Sequence, residues 1–304
     1  MPRAYHEYPF VVPLKARFFN LFRYLFTLPI LEGLLLKKLA ASPASRFWNK
    51  AIPHLYLYRP GSIRFANRGR ISYQLDISRM MDHSLYFHRL RDRGWENLFS
   101  LLKDDFNIID AGANIGYLTL QFARLCPRGM VYSFEPDSKN FQDLVNNVQQ
   151  NAFGNIQLFQ KALGAVAGTA TMYSLYRMNP GTNRILATPP EQAIGSEIVE
   201  VVALDSLEAT NQFNKIDLIK IDVEGFEAFV LQGAEQLIRK MKPLLYVELS
   251  EENLQQQGWS CAALVAYIES LGYRVVDAET MLPIDPHRGT VSDIVCFMDD
   301  GINP

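Results

Sequence analysis

From Phe106 onward the chain alternates between two hydrophobic rhythms. Short apolar runs at 107–110, 130–135, 156–160, 216–221, 244–248, 273–276 and 294–298 read as strands. Between them, helical spacing predicts helices over 116–125, 138–150 (Ser138 as N-cap), 225–239 and 261–271. Strands alternating with helices of roughly 10–15 residues predict an α/β fold, a mostly parallel sheet covered on both faces. The connection 277–293 has no clear helix, which predicts an antiparallel last strand. Residues 169–175 and 198–204 read as a strand pair around a long polar loop, 176–196.

The first 60 residues have another character, punctuated by Pro2, Pro9, Pro13, Pro29, Pro43, Pro53 and Pro60. Residues 18–40 (FFNLFRYLFTLPILEGLLLKKLA) are the greasiest segment, but Arg23, Pro29, Glu32, Gly33, Lys37 and Lys38 interrupt it. Its apolar runs are too short to cross a bilayer of about 30 Å, so two helices broken at Pro29 are predicted. They form either a core or self-association contact, or an element lying on a membrane surface. Next, SIRFA-NRGR-ISYQL predicts a β-hairpin, and 84–103 a helix. The expected organisation is a helical and hairpin extension over 1–80 and one α/β domain over 81–304.

Composition changes this picture little, since 48% hydrophobic residues and a mean hydropathy of -0.04 suit a folded chain. Charge changes it more. The net charge is only -2, yet residues 1–105 hold 17 basic and 8 acidic residues, and 106–304 hold 13 and 24. The basic part meets either an anionic surface or its acidic neighbour domain. The acidic part would repel phosphates, so a nucleic-acid partner is not expected. Cys126, Cys261 and Cys296 are widely spaced, suggesting neither a disulfide framework nor zinc, and a reducing cytoplasmic compartment. No secretory leader is expected, because prolines and charges precede the first apolar stretch.

Candidate chemistry starts at the first core strand. In DAGANIG, Asp110 ends the strand, and Gly112 and Gly116 flank the turn into the helix. Glycines let a chain bend sharply and let a ligand approach the backbone. The segment lacks the third glycine of G-x-G-x-x-G and the G-K-[ST] of a P-loop. An acid at the strand end disfavours a pyrophosphate and favours a cationic cofactor such as S-adenosylmethionine. Glu135 closes the next strand, where a carboxylate can accept ribose hydroxyls, and Pro136 turns the chain onward. Lys161-Ala162-Leu163-Gly164 follows the third strand, where an adenine would lie.

These strings, with YSFEPD, ALDSL and above all IDLIKIDVEGFEAFVLQGA followed by LLYVEL, resemble the FkbM-type methyltransferases over roughly residues 80–280. The resemblance implies a Rossmann-like class I methyltransferase fold and S-adenosylmethionine-dependent O-methylation of a sugar, glycoconjugate or secondary metabolite. It implies a cofactor site at Asp110, Gly112, Asn114, Gly116, Glu135 and Ala162, with Ala113, Tyr117, Pro136, Lys161, Leu163 and Asp222 completing the expected lining. Lys220, Asp222 and Glu224 would lie beside the transferred methyl.

The residues themselves leave roles open. At period two, Lys220, Asp222 and Glu224 would share one face of an extended stretch, so Lys220 could simply pair with the acids. Asp222 or Glu224 could take the acceptor's proton, or Asp222 and Glu248 could hold Mg2+. Glu227 reads as a helix-start acid. Asn179, Thr182, Asn183 and Arg184 in the polar loop could bind a polyhydroxylated small-molecule or glycan acceptor. His6, His54, His83, His88 and His287 fall outside the core motifs, with His83 and His88 near enough to fold over the site. Alternatives are a peripheral membrane methyltransferase acting on a lipid-linked acceptor, or a non-catalytic scaffold of the same fold; release of S-adenosylhomocysteine would exclude the latter.

Overall fold

A computed structural model describes residues 14–87, 90, 92–209, 213–285 and 292–298. His6, His88, His287, Pro2, Pro9 and Pro13 lie outside the described residues. The chain divides into two compact units, Met1–Leu90 with Arg177–Asn179, and Arg91–Tyr176 with Pro180–Pro304.

In the first unit, α1 (Leu14–Leu25) and α2 (Pro29–Ala41) are the expected helix pair. Proline opens α2, where its missing N–H costs nothing, and the axes bend by 101°. After α3 (Arg46–Ala51), the expected hairpin forms from β1 (Ile63–Arg68) and β2 (Ile71–Asp76). Gly69 and Arg70 both take positive φ in its two-residue turn, the geometry that a twisted hairpin favours. Ile71, Tyr73 and Leu75 of β2 face inward. Glu32 of α2 is buried against Arg64 of β1 (2.6 Å), and accepts from Tyr58 (3.2 Å) and from Tyr86 (2.9 Å) of α4 (Met80–Phe87). The helix expected over 84–103 is therefore two. The second, α5 (Arg93–Leu101), belongs to the second unit and starts where the Asp92 side chain accepts from the Trp95 N–H.

The second unit is built on a seven-stranded sheet. Its strands are β3 (Ile108–Ala111), β4 (Val131–Phe134), β5 (Ile156–Phe159), β10 (Leu218–Ile221), β11 (Leu244–Leu249), β12 (Tyr273–Asp277) and β13 (Ser292–Met298). They lie in the order β12-β13-β11-β10-β3-β4-β5, with β13 antiparallel to both neighbours and the β5-to-β11 run parallel. The antiparallel last strand is thus present, inserted between two earlier strands. Helices α6 (Tyr117–Leu125), α7 (Ser138–Gln149), α9 (Glu227–Gln232), α10 (Glu235–Met241), α11 (Glu251–Gln255) and α12 (Cys261–Ser270) connect the strands. This is the class I methyltransferase fold.

A smaller sheet, β6-β9-β7-β8, contains β6 (Ala162–Leu163), β7 (Gly168–Ser174), β8 (Arg184–Ile185) and β9 (Gly195–Val202), followed by α8 (Leu204–Ala209). The expected strand pair is β7 with β9, antiparallel.

Alternation along the central strands divides the core. Ile109, Ile219, Ile221, Leu245 and Val247 pack with Leu231, Leu237 and Leu264 from α9, α10 and α12. Ile108, Leu218, Val131 and Tyr246 pack on the opposite face with Leu98 of α5 and Phe122 of α6. Two expectations are corrected in detail. Asp137, not Ser138, caps α7, accepting from the Asn140 N–H at 2.7 Å. The helix expected over 225–239 breaks at Gly233, where a Cβ would stand 2.0 Å from the Gly164 carbonyl oxygen. Asp205 then caps the second piece through the N–H groups of Gln236 and Leu237.

Candidate active site

The chain leaves β3 on one side to form β4 and β5, and returns on the other side as β10. Beyond the carboxyl ends of β3 and β10 lies the switch point where α/β sheets bind ligands. The β3–α6 turn is shaped by positive φ at Gly112 (76°), Asn114 (51°) and Gly116 (87°). A Cβ at Gly112 would lie 1.9 Å from the Asp222 carbonyl oxygen, so the glycine lets the β3 and β10 loops touch. The N–H groups of Gly112 and Ala113 donate to Phe134 O, both at 3.0 Å, which ties the turn to β4. Tyr117 opens α6 with its ring tilted against Trp95.

Beneath the turn runs a polar row across the strands. Asp110 stands in register with Lys220 on one side and Ser133 on the other. It is fully buried and accepts from Thr119 Oγ1 of α6 at 2.6 Å. Lys220 Nζ donates to the carbonyls of Ala111 (3.0 Å) and Gly112 (2.8 Å), and sits 3.2 Å from Asp110 Oδ1 and 3.7 Å from Asp222 Oδ2. Burial works against the ammonium, but Asp110 and Asp222 outweigh it and raise its pKa. Asp110 is therefore buried against a lysine. Lys220 serves as the ion-pair partner of both acids.

Past β10 the three charged residues do not share an extended face, because the strand stops at Ile221 and Glu224 turns into the left-handed region (φ 57°). Asp222 projects with its side chain 43% exposed. Glu224 accepts from Asn253 Nδ2 at 2.9 Å, and Arg184 Nη2 stands 3.5 Å away. Burial, then the Asp222 charge, push the Glu224 carboxyl up to about 7. Glu227 begins α9, as expected, and clamps the loop by accepting from the N–H groups of Val223 and Gly225. Burial pushes it too up to about 7. Glu248 on β11 is pushed up to about 10, by burial and then by Asp222 and Glu224. Burial and the neighbouring negative charges both favour the protonated form of these carboxyls.

At the end of β4, Glu135 is buried and accepts from the N–H of Asn114 (2.7 Å) and of Asp137 (2.9 Å), which locks two loops together. Burial lifts it to about 7. Pro136 stands between Glu135 and Asp137 in the β4–α7 connection. Ala162 and Leu163 form β6, while the Lys161 ammonium pairs with Glu200 at 2.7 Å. In the polar loop, Asn183 donates to Asp137 (2.8 Å) and Arg184 to Asn253 (2.7 Å). Both brace neighbouring loops. His83 contacts the Pro53 carbonyl at 2.8 Å and His54 stacks on Tyr56, both within the first unit.

The glycine turn, Glu135 and the exposed Asp222 fit a cationic nucleoside cofactor. The magnesium expectation fares differently. Among the described residues no group of three or more His, Cys, Asp or Glu side chains is arranged to hold a metal, and the cation beside Asp222 is Lys220. Arg184, Asn253, Thr119 and Ser133 were not singled out for these contacts by spacing, because the loops and strands that bring them together are distant in sequence.

The family model for the methyltransferase FkbM domain matches residues 110–275. "Methyltransferase 1" of Beauveria bassiana is 29% identical over 149 residues, 43% of this chain and 59% of that protein. Hexuronic acid methyltransferase AglP of Haloferax volcanii is 26% identical over 159 residues, 50% of this chain and 62% of that protein. A crystal structure of methyltransferase FkbM from Methylobacillus flagellatus KT is similar with a TM-score of 0.45 and 18% identity, covering 90% of this chain and 60% of that one. This chain thus spans less than two thirds of the length of each of these three. The matched domain takes in the Asp110 turn, Glu135 and the Lys220–Glu227 loop, more than half of the chain, and so the chain belongs to the FkbM methyltransferase domain family.

Proposed function

We propose that this chain transfers a methyl group from S-adenosylmethionine to a hydroxyl of a sugar, glycoconjugate or secondary metabolite. The observation that carries this reading is Glu224. It is a largely buried carboxyl beside the exposed Asp222, held near neutrality at about 7. A hydroxyl acceptor must lose its proton as the new C–O bond forms, and a group titrating near the working pH is suited to take it. When bound, S-adenosylmethionine supplies an electrophilic methyl on a sulfonium. The Gly112–Gly116 turn and Glu135 would hold its amino-acid and ribose parts, and Ala162 and Leu163 its adenine. Asp222 would attract the sulfonium charge and orient the acceptor oxygen. Glu224 would take the proton that the acceptor oxygen loses as it accepts the methyl. A sugar acceptor is supported by the hexuronic acid in the name of one relative.

The test is a hydroxylated-acceptor screen read by S-adenosylhomocysteine release, with the product's methylated atom located by NMR. Glu224→Gln should lower kcat by about 10²–10⁴ while leaving cofactor affinity within about twofold. Asp222→Asn should weaken both. Full turnover in Glu224→Gln, or a methyl found on carbon or nitrogen, would overturn the assignment.

A further inference from the structure

Helix α1 is built inside out. Its polar Asn20 is 2% exposed and donates to the Tyr56 hydroxyl at 2.5 Å, while Arg23 Nε donates to the Lys50 carbonyl at 2.8 Å. On the opposite side, Leu14, Phe18, Leu21 and Leu25 recur at i, i+4, i+7 and i+11, one stripe of a helix. Leu14 is 83%, Phe18 73% and Leu21 68% exposed. The start of α2 continues this behaviour with Ile30, 81% exposed, while Leu35 and Leu39 are buried. A surface helix of a water-soluble fold turns the apolar stripe inward; this one turns it outward.

What covers the stripe follows from length and charge. Helices of 12 and 13 residues reach only about 18–20 Å each at 1.5 Å per residue, short of the roughly 30 Å of a hydrocarbon core. Together they have the composition of a span, but the 101° bend keeps them from crossing as one rod. Residues 14–75 contain eleven Lys and Arg and one acid, Glu32, which Arg64 already pairs at 2.6 Å. Arg17, Lys37, Lys38, Arg46 and Lys50 are exposed. A second copy docking through the same patch would bring a second strongly cationic surface against the first. An anionic bilayer offers both an apolar interior for the stripe and phosphates for the cations.

We infer that α1 and the start of α2 dock the chain on an anionic phospholipid surface. The stripe enters the headgroup boundary and the cations hold the phosphates. This inference stands on the first unit alone and does not depend on the reaction assigned to the second.

Flotation of the full chain with vesicles tests it. Phosphatidylcholine vesicles containing about a third phosphatidylglycerol should carry the protein upward, and phosphatidylcholine alone should carry far less. Added salt should reduce binding to the anionic vesicles. Phe18→Ser with Leu21→Ser, both at exposed positions, should lower the partition coefficient at least tenfold. Lys37→Glu with Lys38→Glu should lower it on anionic vesicles by about fivefold or more per residue. Circular dichroism confirms the fold of each variant, and the charge pair and salt series decide the matter if the apolar pair unfolds. Absence of binding to anionic vesicles, or wild-type flotation by a folded apolar pair, would overturn the inference. So would a vesicle-free dimer, by light scattering, that the apolar pair turns into monomer.

Discussion

Lys220 occupies a central-strand position where both faces of the sheet are covered and an aliphatic side chain would be the rule. Its ammonium is instead held by two carbonyls and the buried Asp110. Lys220→Met should therefore strand the Asp110 charge, costing roughly 3–5 kcal/mol and about 10 °C in melting temperature. Asp110→Asn combined with Lys220→Met should recover part of that loss. A single variant melting within about two degrees of wild type would show that the lysine does not neutralise the acid. Arg184 acts on Glu224 in a comparable way, since its charge lowers the Glu224 pKa against burial. The acid limb of kcat/KM should rise through about pH 7, and Arg184→Met should move that limb to higher pH. A limb that stays in place would detach Arg184 from the titrating group. None of these partners is visible as spacing in the chain, because Arg184, Glu224 and Asn253 come from three separate elements.

Turns set the larger geometry. At Gly112 the positive φ and the 1.9 Å approach of the Asp222 carbonyl leave no room for a methyl, whereas a Cβ at Gly154 meets nothing within 4 Å. Gly112→Ala should lower the melting temperature by several degrees and weaken S-adenosylmethionine binding at least tenfold by calorimetry, and Gly154→Ala should do neither. Equal behaviour of the two variants would remove the close-approach argument. The strands of the core were legible from their apolar runs to within one or two residues. Helix ends were less so. The stretch 225–239 has continuous helical spacing, yet the packing of Gly233 on Gly164 divides it. The stretch 84–103 divides at the Asp92 cap in the same way. A local pattern cannot report a contact with a segment 69 residues distant, as Gly164 is from Gly233.

Across the whole second unit, Glu135, Glu224 and Glu227 are lifted to about 7, Asp293 to about 6 and Glu248 to about 10. Burial is the first cause in each. The folded state therefore holds protons that the unfolded chain, with carboxyl values near 4, releases. The stability these groups contribute is fully present below about pH 4 and is lost as pH rises through their folded values. For these groups the sign is opposite to that of salt-bridged carboxylates. Melting temperature should fall between about pH 5 and pH 8, and Glu248→Gln should flatten the continuing fall toward pH 10. A melting temperature that climbs steadily over that range would contradict the burial of these acids.

The order of apolar runs and helical spacings, read without any coordinates, determined an α/β sheet, the glycine turn after its first strand and the acids at the strand ends. Those features are local: a strand's burial and a turn's backbone freedom are written in consecutive residues. The partner of each acid was decided by the tertiary structure alone. Asp110 turned inward to Lys220, Glu135 became a clamp on two loops, and Glu224 was lifted toward neutrality by its surroundings. Folding also turned the greasy stripe of α1 outward, because Asn20 and Arg23 claimed the inner face. Charge and hydrogen-bond energies depend on distance and burial, which a sequence pattern does not contain until the chain has packed.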